Sequence, residues 1–207
     1  MRFAVAVVVA CLAGLAPAAH ATVVALTSLE EMTHRSDVVM QAVVTGQKVV
    51  EDRPGRVVTL TTFEVKDGIS GVKTGDVVTV FQVGGHLGDK QAWIAGAHKF
   101  KVGEELVFFG SRMAKSPDLV VPWAIGYGLF SVLDDVDGRH VHEIAGDVSA
   151  MSTDADGNAK LVALTPRKFE NLDTFKAELR SILAGENVVA PPALKIARPV
   201  MPASVHQ

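Results

Sequence analysis

The fold turns on residues 82–110, QVGGHLGDKQAWIAGAHKFKVGEELVFFG. Five glycines precede Gly110 in this stretch, at positions 84, 85, 88, 96 and 103. Glycine at this density serves either a cradle of backbone amides for a phosphate or the bends of a folded sheet. A cradle needs a glycine loop that opens a helix, so that the free amides at the helix N-terminus face the anion. Here Gly84-Gly85-His86-Leu87-Gly88 leaves the β-rich run DVVTVFQV (76–83) and leads to the short strand Ala92-Trp93-Ile94. Gly96 makes another turn, and Gly103 precedes the strand Leu106-Val107-Phe108-Phe109. The spacing matches neither the dinucleotide nor the Walker pattern. These glycines are read as suppliers of positive φ at turns and barrel corners.

The flanking sequence agrees. Upstream lie VVMQAVVTG (38–46) and RVVTLTTFEV (56–65), the latter bounded by Pro54-Gly55 and Asp67-Gly68. Downstream come a loop, SRMAKSPD (111–118), then VVPWAIGYGLFSVL (120–133). A hairpin follows, with strands at 129–133 and 140–144 around the acidic turn Asp134-Asp135-Val136-Asp137-Gly138. A second turn, Asp154-Ala155-Asp156-Gly157, precedes Lys160-Leu161-Val162. Short strands punctuated by Gly and Asp predict an antiparallel sandwich or small barrel. No helix-length apolar pattern separates them, which argues against a parallel βαβ sheet.

Two helices frame the strands. Ser28 with Glu31, or Thr27 with Glu30, fits a capping box, with Leu29 and Met32 on one face. Near the other end, NLDTFKAELRSILAG (171–185) has Asp173 as its expected N-cap and Leu172 as a staple. Phe175, Leu179, Ile182 and Leu183 form its apolar stripe, and Gly185 is the stop. The predicted fold is mainly β: an OB-like small antiparallel barrel with a short N-terminal helix and a C-terminal helix.

Residues 1–21, MRFAVAVVVACLAGLAPAAHA, carry Arg2, an apolar run and a terminal Ala-His-Ala, the anatomy of a cleaved secretory signal peptide. The run is too short and wrongly flanked for a membrane span. Residues 22–185 then form a single barrel domain, and 186–207, with Pro191, Pro192, Pro199 and Pro202, read as a disordered tail. The one cysteine, Cys11, falls in the signal, so the mature chain has no disulfide, thiolate nucleophile or cysteine-held metal. The formal charge of −3 comes from scattered residues and aromatics make up 6%. With neither a basic face nor a stacking platform, nucleic acid is not an expected partner.

The order SDVVMQAVV, TLTTFEVKDGISG, DVVTVFQVGG, IAGAHKFKVGEELVFFG, YGLFSV resembles a family of short exported bacterial proteins of unassigned function. Its most specific part is Gly84-Gly85 followed by Gly96, Phe100, Gly103-Glu104 and Val107-Phe108-Phe109. By strand order the pattern is also similar to the OB-like barrel of netrin-like modules, including tissue inhibitors of metalloproteases. That similarity implies the barrel only. The inhibitors chelate zinc with a disulfide-bonded N-terminal cysteine, whereas the expected mature chain starts Thr22-Val23.

Candidate sites are few. His140 and His142 stand at i, i+2 on one strand face, a spacing that suits a metal, with His86 or His98 to complete a set. Lacking cysteines, and with Glu143 on the opposite face, the pair reads as a solvated surface; no metal or cofactor is assigned. The acidic turns resemble calcium loops. Placing Gly138 or Gly157 at the invariant glycine position, however, puts Ile144 or Ala163 where the bidentate Glu belongs. No nucleophile elbow or His-Glu-x-x-His helix occurs. Binding is expected instead at Gly85, His86, Trp123 and Tyr127, on glycine-bearing loops with large interactive side chains. The plain alternative has the two rings capping the open end of the barrel. The expected function is an exported, non-enzymatic binding or structural module, whose partner is an envelope or extracellular protein or glycan. A secreted protease-inhibitor-like module and a metal-assisted hydrolase are the alternatives.

Overall fold

A computed structural model describes residues 22–25, 27–144, 148–153, 158–163 and 165–185. The expected signal peptide, the expected tail and the Asp154–Gly157 turn lie outside the described residues.

After β1 (Thr22–Ala25) come α1 (Leu29–Arg35), β2 (Val38–Arg53), β3 (Arg56–Ser70), β4 (Val77–Leu87) and β5 (Lys90–Trp93). They are followed by β6 (Glu105–Met113), β7 (Ser116–Pro122), a 3-10 turn (Trp123–Gly126), β8 (Leu129–Asp135) and β9 (Gly138–Glu143). The chain continues through β10 (Val148–Thr153), β11 (Ala159–Ala163), β12 (Lys168–Phe169) and α2 (Leu172–Ala184). β2 pairs with β3, β3 with β4, β4 with β7, β7 with β6, and β6 returns to β2. This closed five-stranded ring is an OB-like barrel, antiparallel except where β4 meets β7. β8, β9 and β12 extend its wall beyond β6, while β1, β10 and β11 form a separate small sheet.

Turn chemistry sets the hairpins. Pro54-Gly55 links β2 to β3 with Gly55 at φ 80, as a type II turn requires. In the β8–β9 hairpin, Asp135 pairs with Gly138, and the Asp137 amide donates to Asp135 Oδ1. SRMAKSPD is not a loop. Its ends belong to β6 and β7, which turn tightly at Ala114-Lys115.

Two apolar layers share the strands. Inside the barrel lie Val38, Met40, Ala42 and Val44 of β2, Phe63 of β3, Val80 of β4, Leu106 and Phe108 of β6, and Val120 of β7. The alternate residues of the same strands, Val39, Val107 and Phe109, face outward and are covered by Met32 of α1 and Leu172, Phe175 and Leu179 of α2. The first half of β2, residues 38–44, and residues 106–110 of β6 are therefore buried on both faces, which is why these stretches run almost continuously apolar. Each fully buried Val, Leu or Phe contributes about 1.5–3 kcal/mol relative to exposure. Among the described residues every buried side-chain nitrogen and oxygen has a hydrogen-bond partner.

Both helices carry the expected faces. Ser28 Oγ accepts from the Glu31 amide at 3.0 Å, while Glu31 itself reaches Arg35 instead of closing a reciprocal box. Asn171, not Asp173, caps α2, accepting from the Thr174 amide at 2.9 Å. Asp173 lies in the first turn and pairs with Lys176. Among the described residues no helix is long and apolar enough to cross a membrane.

Candidate functional site

The glycine-rich stretch bends a strand and roofs the barrel. β4 stays paired with β3 up to Val83, then its last four residues leave to pair with β5. Gly84 (φ 111) and Gly85 (φ 141) make that bend. A Cβ on Gly84 would come within 2.7 Å of the Ala92 carbonyl oxygen, and one on Gly85 within 2.7 Å of Val49 Cγ1 and 2.8 Å of Thr59 Oγ1. Only glycine lets the three strands pass so closely. Thr59 Oγ1 donates to the Gly84 carbonyl at 2.8 Å, fixing the corner.

From β5 the chain crosses the barrel mouth as residues 94–104. Phe100 drops from it into the interior, edge-on to Phe63 with ring centres 5.1 Å apart. Gln47 Nε2 donates to the Phe100 carbonyl and Gln82 Nε2 to the His98 carbonyl. His98 Nε2 lies 2.8 Å from Glu104 Oε1, and Glu104 Oε2 accepts from the Lys101 amide. Burial pushes the Glu104 carboxyl up, but the His98 and Lys101 hydrogen bonds outweigh it and leave it below the ordinary value.

Between this segment and the 3-10 turn lies a cleft of about 380 Å³, lined by Trp93, Ile94, His98, Lys99, Gly126 and Ile144. Trp93 and Ile94 remain 41% and 39% exposed, and Ile125, beside Gly126, 37%. Lys99 Nζ sits 4.5 Å from the Trp93 ring centre. The 3-10 turn that brings Gly126 to the cleft is strained: Ala124 and Ile125 take φ of 40° and 66°, conformations that a β-branched residue such as Ile125 rarely adopts.

The four expected binding residues do not gather into one site. Gly85 and exposed His86 stand on β4 against β5, where His86 faces Gln91 across the ladder. Trp123 and Tyr127 belong to the outer layer. Trp123 packs on the α1–α2 cluster under the Arg35 guanidinium, 5.4 Å from its ring. Tyr127 is 6% exposed, and its hydroxyl points to the Thr27 carbonyl at 3.4 Å. Burial raises its pKa. Neither ring caps the barrel; Phe100 does. The cleft residues Trp93 and Ile94 carried a sequence signal, two adjacent large apolar residues, the last of β5 and the one after it, between glycines.

Behind Tyr127 lies a pair with no local sequence signal. Glu143, its side chain 3% exposed, takes two hydrogen bonds from the Arg167 guanidinium at 2.6 and 2.9 Å and one from the Arg167 amide. That guanidinium also covers the Tyr127 and Phe130 rings at 5.5 and 5.3 Å. Burial would lower the Arg167 pKa, yet the Glu143 hydrogen bonds hold it above the ordinary value.

His140 and His142 do share a face, with ring centres 5.0 Å apart. His86 and His98 do not join them: one is on β4, the other bound to Glu104. Among the described residues no three His, Cys, Asp or Glu side chains group as a metal centre. No protein-family model matches the chain, and no curated protein matches it.

Proposed function

We propose that the protein is an exported, non-enzymatic binding module of the cell envelope or medium, and that it takes an extended acidic segment of a partner protein along β5. The exposed Trp93–Ile94 edge beside the cleft carries this reading. β5 pairs with β4 alone among the described strands, so its outer edge offers backbone donors and acceptors to an added strand. Trp93 and Ile94 supply apolar anchors at the end of that edge, and exposed Lys99 and Lys101 give the rim positive charge. Signal-like residues 1–21 support export.

A photo-crosslinking residue at position 94, in cells that export the protein, tests this. The expected result is one dominant protein adduct that weakens with added salt and with Trp93→Ala, and is missing when the probe sits at position 136. Val136 is 100% exposed on the β8–β9 hairpin tip and makes a fair control. Equal labelling from both positions would overturn the reading. Retention of the protein on envelope polysaccharide without any adduct would replace the protein partner by a glycan.

A further inference from the structure

The β8–β9 hairpin adds a carboxylate to two histidines that strand alternation already puts on one face. Val141 and Glu143 of β9 are buried, Val141 against the helices, so His140 and His142 occupy the other face. Across the ladder His140 is opposite Leu133 and His142 opposite Ser131, while Lys168 of β12 pairs with His142 from the other side. The acid that the β9 sequence lacks on this face arrives from the turn. Asp135, whose Oδ1 accepts the Asp137 amide, places Oδ2 3.3 Å from His140 Nδ1. His140 is itself largely sheltered, its side chain 18% exposed, so the ring is positioned by packing as well as charge.

We propose that His140 and His142 form a two-nitrogen chelate for a divalent late first-row transition metal, zinc or copper, with Asp135 as the carboxylate that orients His140. A carboxylate beside Nδ1 favours the proton on that nitrogen and leaves Nε2 as the ligand atom, the arrangement by which metal-binding histidines are commonly fixed. The ring separation fits. A metal–nitrogen bond of about 2.0–2.1 Å puts each imidazole centre roughly 3.2 Å from the ion, and two rings at a tetrahedral angle then have centres about 5 Å apart. The observed 5.0 Å is that distance. Two positions of a tetrahedral site are filled by protein, and two stay open to water or to a donor from a bound molecule. Lys168, exposed and opposite His142, opposes cation binding and marks the site's electrostatic cost. This inference is independent of the β5 reading, because it uses a different hairpin.

Untagged protein is titrated with zinc chloride by calorimetry, and with copper(II) followed by paramagnetic resonance. The expected result is one ion per chain, with two equatorial nitrogens in the copper signal. His140→Ala and His142→Ala each abolish it, and Asp135→Asn weakens it about 10-fold or more. His86→Ala leaves it unchanged, and Lys168→Ala tightens it. Imidazole nitrogen spectra of the unsubstituted protein give a readout free of folding effects: zinc should shift Nε2 of His140 while its Nδ1 stays protonated. No saturable one-to-one binding, or binding that survives both histidine substitutions, would overturn the proposal.

Discussion

Arg167→Ala tests the ion pair that holds the most buried carboxylate among the described pairs. Arg167 neutralises Glu143, whose side chain is 3% exposed and which already spends one carboxylate oxygen on the Arg167 backbone amide. Removing the guanidinium strands a carboxylate under Tyr127 and Phe130, and breaking such a pair by losing one partner costs about 3–5 kcal/mol. That is a large share of the roughly 5–15 kcal/mol that holds a domain of this kind together. In guanidinium chloride the midpoint should fall with an unchanged slope, the sign of lost stability rather than a changed denatured state. The paired replacement Glu143→Leu with Arg167→Met should recover most of the loss, because no unpaired charge remains. It should stay about 1 kcal/mol short, since the Arg167 amide loses its acceptor. A loss below about 1 kcal/mol for Arg167→Ala alone would mean that Glu143 reaches water and is not a stranded buried charge.

Three further substitutions probe the barrel mouth and the outer layer. Gly85→Ala forces a Cβ against Val49 and Thr59 at positive φ and should cost about 1–3 kcal/mol in thermal or chemical unfolding; an unchanged melt would mean that the β4 bend is looser than described. Trp123→Ala should cost about 2–3 kcal/mol, short of the 3–5 of a fully buried ring, because Trp123 is only half-buried on α1. An unchanged melting temperature with loss of partner capture would instead make Trp123 a binding residue. Glu104, with its folded pKa held below the ordinary 4.5, adds stability that is fully present above that value and drains away as pH falls through the lower folded one. Glu104→Gln should therefore flatten the acid limb of stability below about pH 4.5, measured as midpoint against pH; an identical limb in both proteins would remove the His98–Glu104 clasp from the account.

The barrel was legible because its evidence is local. Gly and Asp punctuation, Val and Thr runs and the Gly84-Gly85 pair each act within a few residues, and together they point to bends rather than a phosphate loop. Strand length was less legible. β3 runs on through Asp67-Gly68, held in the ladder by β2, and β4 through Gly84-Gly85, held by β5, although such residues would end an isolated strand. The site was mostly hidden for a related reason. Arg167 finds Glu143 from 24 residues away, and Asp135 reaches His140 only through hairpin register. Phe100 stands between Gly96 and Gly103, too short a run to show apolar periodicity, and only barrel closure reveals it as the plug. At α2, Asn171 takes the role that Asp173 was expected to fill.

Closing the ring has a kinetic consequence. The β2–β3 and β6–β7 hairpins form from chain neighbours, but the seam needs Val38 to meet Gly110 and Thr79 to meet Leu119. Those encounters depend on long-range loop closure, so folding should be slow, in the millisecond-to-second range typical of β-barrels dominated by distant pairings. Until β6 arrives, the first half of β2 is a strand with apolar side chains on both faces and an unpaired edge. It is then the segment most exposed to wrong partners, including another copy of itself. The same strand that welds barrel to helices in the finished protein is thus the chain's greatest hazard on the way there.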